Sequence, residues 1–334
     1  MTSPKSLTAS LMLRIRQRSR QRWLADGALL TVAAIWGSTF FLIKDATANF
    51  SVFAFLLIRF AIGSVALLPL AIVEMRRRGQ FPRRSDWMWG IAGGVIFFVA
   101  YVFQTSALRL IDSGRAGFVT GLYVILVPVV GLVLFHTPIH RRVIVGGILA
   151  LIGMVLLGYA PGGTPLGDLL ALMCALCYAG HILLIERMPR HADWRFLALS
   201  QSLTVAVLAL IFLPILAAVH TCSTPLCQAF APFADPLPTT IPDIVWFAAA
   251  FTGLLATAFG LMVQVWAQRI LPANDAALIF ALESPFSVLF GVTFRGEVLT
   301  TLGLVGCGLI FSGTITVTVG QGAEAVKAGD SLTP

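Results

Sequence analysis

The chain has 334 residues, of which 58% are hydrophobic and 11% charged, against roughly 25% charged in an ordinary soluble domain. That balance excludes a water-soluble globular fold, which has no interior large enough for so much apolar surface. The formal charge of +8 does not indicate nucleic acid, because the basic residues are distributed over alternate loops rather than gathered on one face.

Residues 1–23 read as a basic tail carrying Lys5, Arg14, Arg16, Arg18, Arg20 and Arg22. The tail lacks an apolar core followed by a small-residue cleavage site, so it is expected to be a retained cytoplasmic segment rather than a signal peptide. Leu11, Leu13 and Ile15 among the arginines suit either a short helix on anionic headgroups or a solvated tail. Apolar runs then follow at 24–44, 50–73, 87–108, 115–135, 143–160, 167–186, 196–219, 243–266, 275–294 and 299–319, with a second tail at 321–334. Each run is long enough to cross a hydrocarbon core of about 30 Å as a helix. In lipid a helix satisfies its own backbone, so the expected fold class is an all-α membrane protein of ten transmembrane helices.

With the N-terminus in the cytoplasm, the inside segments hold eighteen basic residues and the outside loops four, Lys44, Arg109, Arg115 and Arg295. Arg59 alone lies within a span. By the positive-inside rule both termini are cytoplasmic, and the expected location is a bacterial cytoplasmic (inner) membrane.

The chain repeats itself. An offset of 142 places Asp26 on Asp168, Trp36 on Tyr178, Leu42 on Leu184 and Ile43 on Ile185. An offset of 160 places Gln104 on Gln264, Arg109 on Arg269, Gly131 on Gly291, Gly146 on Gly306 and Gly153 on Gly313. The change of offset means 18 additional residues in the second half, at about 220–242. The two units are 24–160 and 167–320. Each has an odd number of spans, so the second is expected to lie inverted relative to the first, an alternating-access architecture.

The segment Trp36-Gly37-Ser38-Thr39-Phe40, the pair Arg59-Phe60, and the stretch from Gln264 through Trp266-Ala267-Gln268-Arg269 to Leu282-Glu283-Ser284 resemble the drug/metabolite transporter superfamily, in particular its EamA-type ten-helix permeases. The resemblance covers about 24–320. It implies a central cavity, alternating access and export of small metabolites such as amino acids. Thr39 stands where that family commonly has Asn, and Ser284 where it often has Pro after the Glu; both departures bear on substrate choice rather than fold.

A charge within a span costs about 2.5–3.5 kcal/mol on insertion scales and is a functional candidate by default. Arg59 and Glu283 each lie about nine residues into a helix, roughly 13 Å deep at 1.5 Å per residue. They either pair structurally or contact substrate. Their repeat counterparts are Gln201 and Tyr123. Polar and aromatic residues at helical spacing complete the candidate substrate cavity: Trp36 and Thr39, Tyr101 and Gln104, Tyr123, Tyr178 and His181, and Gln264. Such residues turn inward because lipid offers no partner, either to line a cavity or to join helices. His181, without a second His or a carboxylate at helical spacing, reads as a neutral hydrogen-bonding residue more readily than as a proton relay.

Pro138 separates His136 from His140 and breaks the helix a metal pair needs, so no metal is expected. Cys174, Cys177 and Cys307 lie in apolar helices and read as small packing residues. Cys222 and Cys227 fall in the extra loop on the outside, where a disulfide persists. There is no Walker, zinc-protease or nucleophile-elbow motif, so the chain is expected to be neither an enzyme nor cofactor-dependent. The expected partners are the lipid bilayer and a small-molecule substrate, an amino acid or amphipathic metabolite, with a homodimer compatible and no nucleic acid. A channel or facilitator, or a non-transporting scaffold or receptor, are the alternatives to a secondary-active transporter.

Overall fold

The computed structural model describes the backbone of residues 4–79, 81–158, 164–296 and 298–330, and the side chains of residues 20–79, 81–156, 164–294, 296 and 298–317. The side chains of Lys5, Arg14, Arg16, Arg18, Arg295 and Lys327, and with them the tail's reading as a headgroup-binding helix, lie outside the described residues. The described chain is helical: α1 Pro4–Thr47, α2 Val52–Arg78, α3 Arg84–Leu108, α4 Ser113–Gly121, α5 Tyr123–Phe135, α6 Arg141–Gly158, α7 Pro165–Arg187, α8 Trp194–His220, α9 Pro225–Ala229, α10 Asp243–Phe251, α11 Gly260–Ala267, α12 Ala273–Phe280, α13 Glu283–Arg295 and α14 Thr301–Asp330. A π-helical stretch, Thr252–Phe259, joins α10 to α11.

Among the described residues, eight helical spans are long and apolar enough to cross a membrane, and Thr301–Val317 is a shorter apolar helix. Their starts follow from local chemistry. Ser51 accepts the Ala54 amide (3.4 Å), Thr164 the Gly167 amide (3.1 Å) and Asp193 the Arg195 amide (2.8 Å), each satisfying a donor that a first helical turn leaves open. α2 ends at Gly79, whose φ of 61° suits a residue without Cβ.

Three expectations about helix continuity are corrected. The helix expected at 24–44 is the C-terminal half of a longer one, Pro4–Thr47. The runs 115–135 and 275–294 are each broken in the middle, at Leu122 and at Ala281–Leu282. Leu122 itself carries no mark of its break, since leucine is a good helix former, whereas Pro285, four residues past Ala281, has no N–H for the Ala281 carbonyl and ends the segment there.

α6 and α14 pack closely through glycine. A Cβ on Gly146 would meet the Gly313 carbonyl oxygen at 2.7 Å, and one on Gly153 the Gly306 oxygen at 2.5 Å. Position rises on one helix as it falls on the other, so the two run antiparallel. Outward faces carry exposed Val65, Val133, Ile148, Leu210, Phe247 and Leu304, the surface a bilayer covers.

Ion pairs collect at the two ends of the bundle. At one end Arg22 reaches Asp275 (2.9 Å), Arg78 reaches Asp193 (2.9 Å), and Glu74 accepts from Arg77 (2.7 Å) and Arg78 (2.6 Å). At the other end Lys44 pairs with Asp112 (2.7 Å), Arg109 with Asp235 (2.9 Å) and Arg115 with Asp168 (2.7 Å). Cys222 and Cys227 are disulfide-bonded with Cα atoms 5.8 Å apart, within the range such bonds span. Cys174 is buried and reduced, and Cys177 and Cys307 are reduced and half-buried.

Candidate functional site

The irregularities of the helices converge on the centre of the bundle. Leu122 and Leu282, separated by the repeat offset of 160, both occupy the junction of a broken helix, with φ/ψ of −59°/−13° and −66°/−13°. Tyr123 and Glu283 therefore begin new helical segments at equivalent places. Non-ideal backbone at such depth is tolerated where it is buried in protein or lines a cavity. The π-helical stretch is the third irregularity: its Ala256 carbonyl accepts the indole N–H of Trp36 (3.0 Å), and its Thr257 hydroxyl accepts Nε–H of Arg59 (3.1 Å). Gly260 just beyond it is required small, since a Cβ there would lie 2.7 Å from Trp36 Nε1.

One cavity lies among these elements. Trp36, Thr39, Tyr101, Gln104, Tyr123, Tyr178, His181, Gln264 and Glu283, nine of the ten residues singled out from sequence, line it. Phe40, Phe97, Ile182 and Phe280 complete the wall. Those four carry no polar signal and are indistinguishable in sequence from ordinary core residues. The space admits water-sized groups over about 20 Å³, enough for about one water molecule.

Arg59 is the exception. It is 1% exposed but stands behind the wall, its Nη2 donating to the Tyr101 hydroxyl (3.0 Å) and its guanidinium 4.4 Å from the Tyr101 ring centroid. Among the described residues no carboxylate comes within ion-pair distance of it. The expected alternative of a structural Arg59–Glu283 pair is thus not formed. The guanidinium instead uses a ring face and two hydroxyl oxygens, which compensate a cation in part.

The remaining hydrogen bonds fix the wall. The Tyr178 hydroxyl donates to Gln104 Oε1 (3.1 Å), and His181 Nε2 lies 2.7 Å from Gln201 Oε1. Gln264 Nε2 donates to Gln268 Oε1 (3.1 Å), and Gln268 Nε2 to the Ile182 carbonyl (2.9 Å). The His181 ring stacks on Phe97 at 4.4 Å, and Trp36 on Phe280 at 5.0 Å. Gln201, the counterpart of Arg59, and Gln268 hold cavity residues in place without lining the cavity.

Tyr123 and Glu283 interact side chain to side chain, while His181 Nδ1 and Gln264 Oε1 are buried with no hydrogen-bond partner among the described residues. Glu283 is 3% exposed and has no cation within ion-pair distance among the described residues.

Comparison with known proteins gives the family and the fold. The EamA-like transporter family matches residues 23–159 and again residues 165–319. An uncharacterized transporter of Archaeoglobus fulgidus is 32% identical over 302 residues, 90% of this chain and 87% of that protein. A solved crystal structure, described only as that of a protein, superposes with a TM-score of 0.66 at 21% identity, covering 88% of this chain and 96% of that one. At that identity the likeness concerns the fold.

Proposed function

The chain belongs to the EamA-like transporter family and is a multi-pass membrane transporter, not an enzyme, and we propose that it is a secondary-active carrier that exports a small metabolite or amino acid by alternating access. The observation that carries this reading is the small central cavity lined by polar and aromatic residues of both halves. A pore kept permanently wet has no reason to close down to the size of one water, whereas a carrier passes through such a state.

In this reading the chain has ten membrane helices in two inverted units, 24–160 and 167–320. The α6 helix, 18 residues long, reaches about 27 Å at 1.5 Å per residue, and α14 is its counterpart. Two features favour inversion. The family matches once per half, and the contacts Gly146–Gly313 and Gly153–Gly306 exchange with one another under the 160 offset. Helices equivalent in two parallel repeats would run parallel; these run antiparallel. The end bearing Arg22, Arg78 and Arg195 is assigned to the cytoplasm from the basic asymmetry, with both termini on that side.

The test is reconstitution of the full chain in proteoliposomes with labelled amino acids and amphipathic metabolites. Saturable uptake accelerated by unlabelled solute on the opposite side is the expected result. Ionic current without counterflow would make the protein a channel, and neither activity would make it a scaffold. Reporter fusions after residues 80 and 330 test the orientation, and an external signal at either would overturn it.

A further inference from the structure

At the end of the bundle that carries Arg22, a groove runs between α1, the α12–α13 junction and α14. Leu30, Ile279, Leu282, Phe311 and Ile315 form its apolar walls, and it admits water-sized groups over about 310 Å³, room for a stretch of acyl chain rather than for a single water. Part of that room is the missing side chain of Gly27, since a Cβ there would meet nothing within 4 Å. Leu30, Phe311 and Ile315 are exposed, so the groove opens sideways towards lipid, and it shares no lining residue with the central cavity.

One lining residue is out of keeping with such walls. Asp26 faces the groove from α1. Arg22, one turn earlier, gives its Nη2 to Asp275 (2.9 Å), and the Thr314 hydroxyl in the groove donates to the Leu278 carbonyl (2.9 Å). Asp26 feels Arg22 and Asp275 only at longer range, with neither a hydrogen bond nor an ion pair among the described residues. The repeat accounts for the leftover charge. Asp168, the counterpart of Asp26, is held through both oxygens by Arg115, but the position equivalent to Arg115 is Asp275. Where the other end has one acid and one base, this end has two acids, and Arg22 answers one of them.

Depth says what can answer the second. The span Arg20–Thr47 has 28 residues and covers about 42 Å at 1.5 Å per residue, the thickness of a bilayer with its headgroups. Asp26 therefore lies about 9 Å in, where headgroup gives way to acyl chain, close to the exposed indole of Trp23, which suits the same level. A carboxylate turned towards lipid is costly unless a cation meets it, and the cation a bilayer offers at this depth is the ammonium of a phospholipid headgroup. A primary ammonium brings three N–H donors to the carboxylate, whereas a trimethylated one brings none. An anionic headgroup would meet the surplus negative charge. We infer that the groove binds an aminophospholipid of the phosphatidylethanolamine type, with its ammonium on Asp26 and an acyl chain against Leu30, Ile279 and Ile315. Ile279 and Leu282 alternate with Phe280 and Glu283 of the cavity wall, so the lipid packs against the back of the broken segment that forms that wall. The site needs the membrane setting alone and stands apart from the carrier reading.

Native mass spectrometry of the delipidated full chain tests this with phosphatidylethanolamine, phosphatidylcholine and phosphatidylglycerol of identical acyl chains. Phosphatidylethanolamine is expected to bind at least ~10-fold more tightly than either of the others, a difference on the order of 1.4 kcal/mol. Asp26→Asn should bring it down to the phosphatidylcholine level and leave phosphatidylcholine unchanged. Gly27→Leu, which fills the groove where a Cβ meets nothing, should weaken both. Absence of a headgroup preference in the unaltered chain, or tighter binding of phosphatidylglycerol, overturns the inference without reference to any variant. A preference that survives Asp26→Asn, or binding unchanged in Gly27→Leu, overturns it as well, because the lipid then sits elsewhere. Displacement of phosphatidylethanolamine by dodecylammonium at a lower concentration than by phosphatidylethanolamine itself would make a free amphipathic amine the occupant and overturn the assignment to a lipid. None of these outcomes depends on transport, so a failure here leaves the carrier reading standing.

Discussion

Tyr123 and Glu283 stand at equivalent positions of the two halves, each the first residue after the break in its helix, and they meet in the wall of one cavity. The Tyr123 hydroxyl is the side-chain hydrogen-bonding neighbour of the Glu283 carboxyl. A buried carboxylate in this setting is costly when ionised unless it is paired or hydrated. Its repeat counterpart carries only a hydroxyl, so the charge serves something other than the symmetry of the fold.

Glu283→Gln is the first consequence. Had Arg59 been its ion-pair partner, removing the charge would strand a buried cation at about 3–5 kcal/mol and lower the yield. Arg59 instead bonds to Tyr101 and Thr257, so yield and melting temperature should hold. Concentrative transport should fall at least ~10-fold, the factor that about 1.4 kcal/mol of lost interaction gives. Normal transport by a well-folded variant would remove Glu283 from the proposed site, and a collapse in yield would restore the pairing.

Arg59→Met tests the opposite charge. Replacing buried ionic groups by apolar ones of similar volume is often neutral or stabilising by about 1–4 kcal/mol, and Arg59 has no carboxylate to strand. Its melting temperature in detergent should be unchanged or higher. Transport should fall, because Tyr101 loses the guanidinium that holds its hydroxyl and ring in the cavity wall. A strongly destabilised variant would show that the bonds to Tyr101 and Thr257 outweigh the cost of burying the charge.

Much of this arrangement was legible in the sequence. Polar residues are conspicuous in apolar helices, so Gln104, Gln264, His181 and Glu283 announced themselves, and the repeat added weight to Trp36, Tyr123 and Tyr178. Helix continuity was not legible at Leu122, since leucine does not weaken a helix; at Ala281 it was, because Pro285 removes the hydrogen bond to the Ala281 carbonyl. The partner of Arg59 was hidden for a related reason. Depth along a helix gives a charge its level in the membrane but not the direction in which it turns, and Tyr101 on α3 lies closer to hand than Glu283. The apolar wall of Phe40, Phe97, Ile182 and Phe280 was lost among residues of the same kind elsewhere.

Two glycines of α14 give an internally controlled measure of the α6–α14 contact. A Cβ on Gly313 would meet the Gly146 carbonyl oxygen at 2.5 Å, while one on Gly308 meets nothing within 4 Å. Gly313→Ala should force the helices apart and cost about 1–3 kcal/mol, as overpacking does. Gly308→Ala should be neutral or stabilising by up to about 1 kcal/mol from helix propensity. Thermal unfolding of the two variants side by side decides the matter, and equal shifts would mean that the helices do not meet at these glycines in the membrane.

The final prediction concerns how the cavity opens. At one end Arg115, early in α4, donates through Nε (2.7 Å) and Nη2 (2.7 Å) to both oxygens of Asp168 in the first turn of α7, a bidentate clamp. At the other end Arg22 of α1 holds Asp275 in the first turn of α12 (2.9 Å). The offsets place Asp275 on Arg115 and Asp26, one turn beyond Arg22, on Asp168, so the clamps share one equivalent position and differ by a helical turn at the other. Both are formed here, and in an alternating-access cycle each would have to release while the other holds. Asp168→Asn should loosen the outer end alone, and Arg22→Gln the cytoplasmic end alone. The measurement is alkylation of a single Thr39→Cys in the cavity, in a chain with Cys174, Cys177 and Cys307 replaced; Cys222 and Cys227 are bonded to each other and do not compete. A membrane-impermeant maleimide applied outside should react several-fold faster in Asp168→Asn and no faster in Arg22→Gln, with the order reversed for inverted vesicles. If either substitution accelerated labelling from both sides, the ion pairs would be general staples of the bundle rather than separate gates.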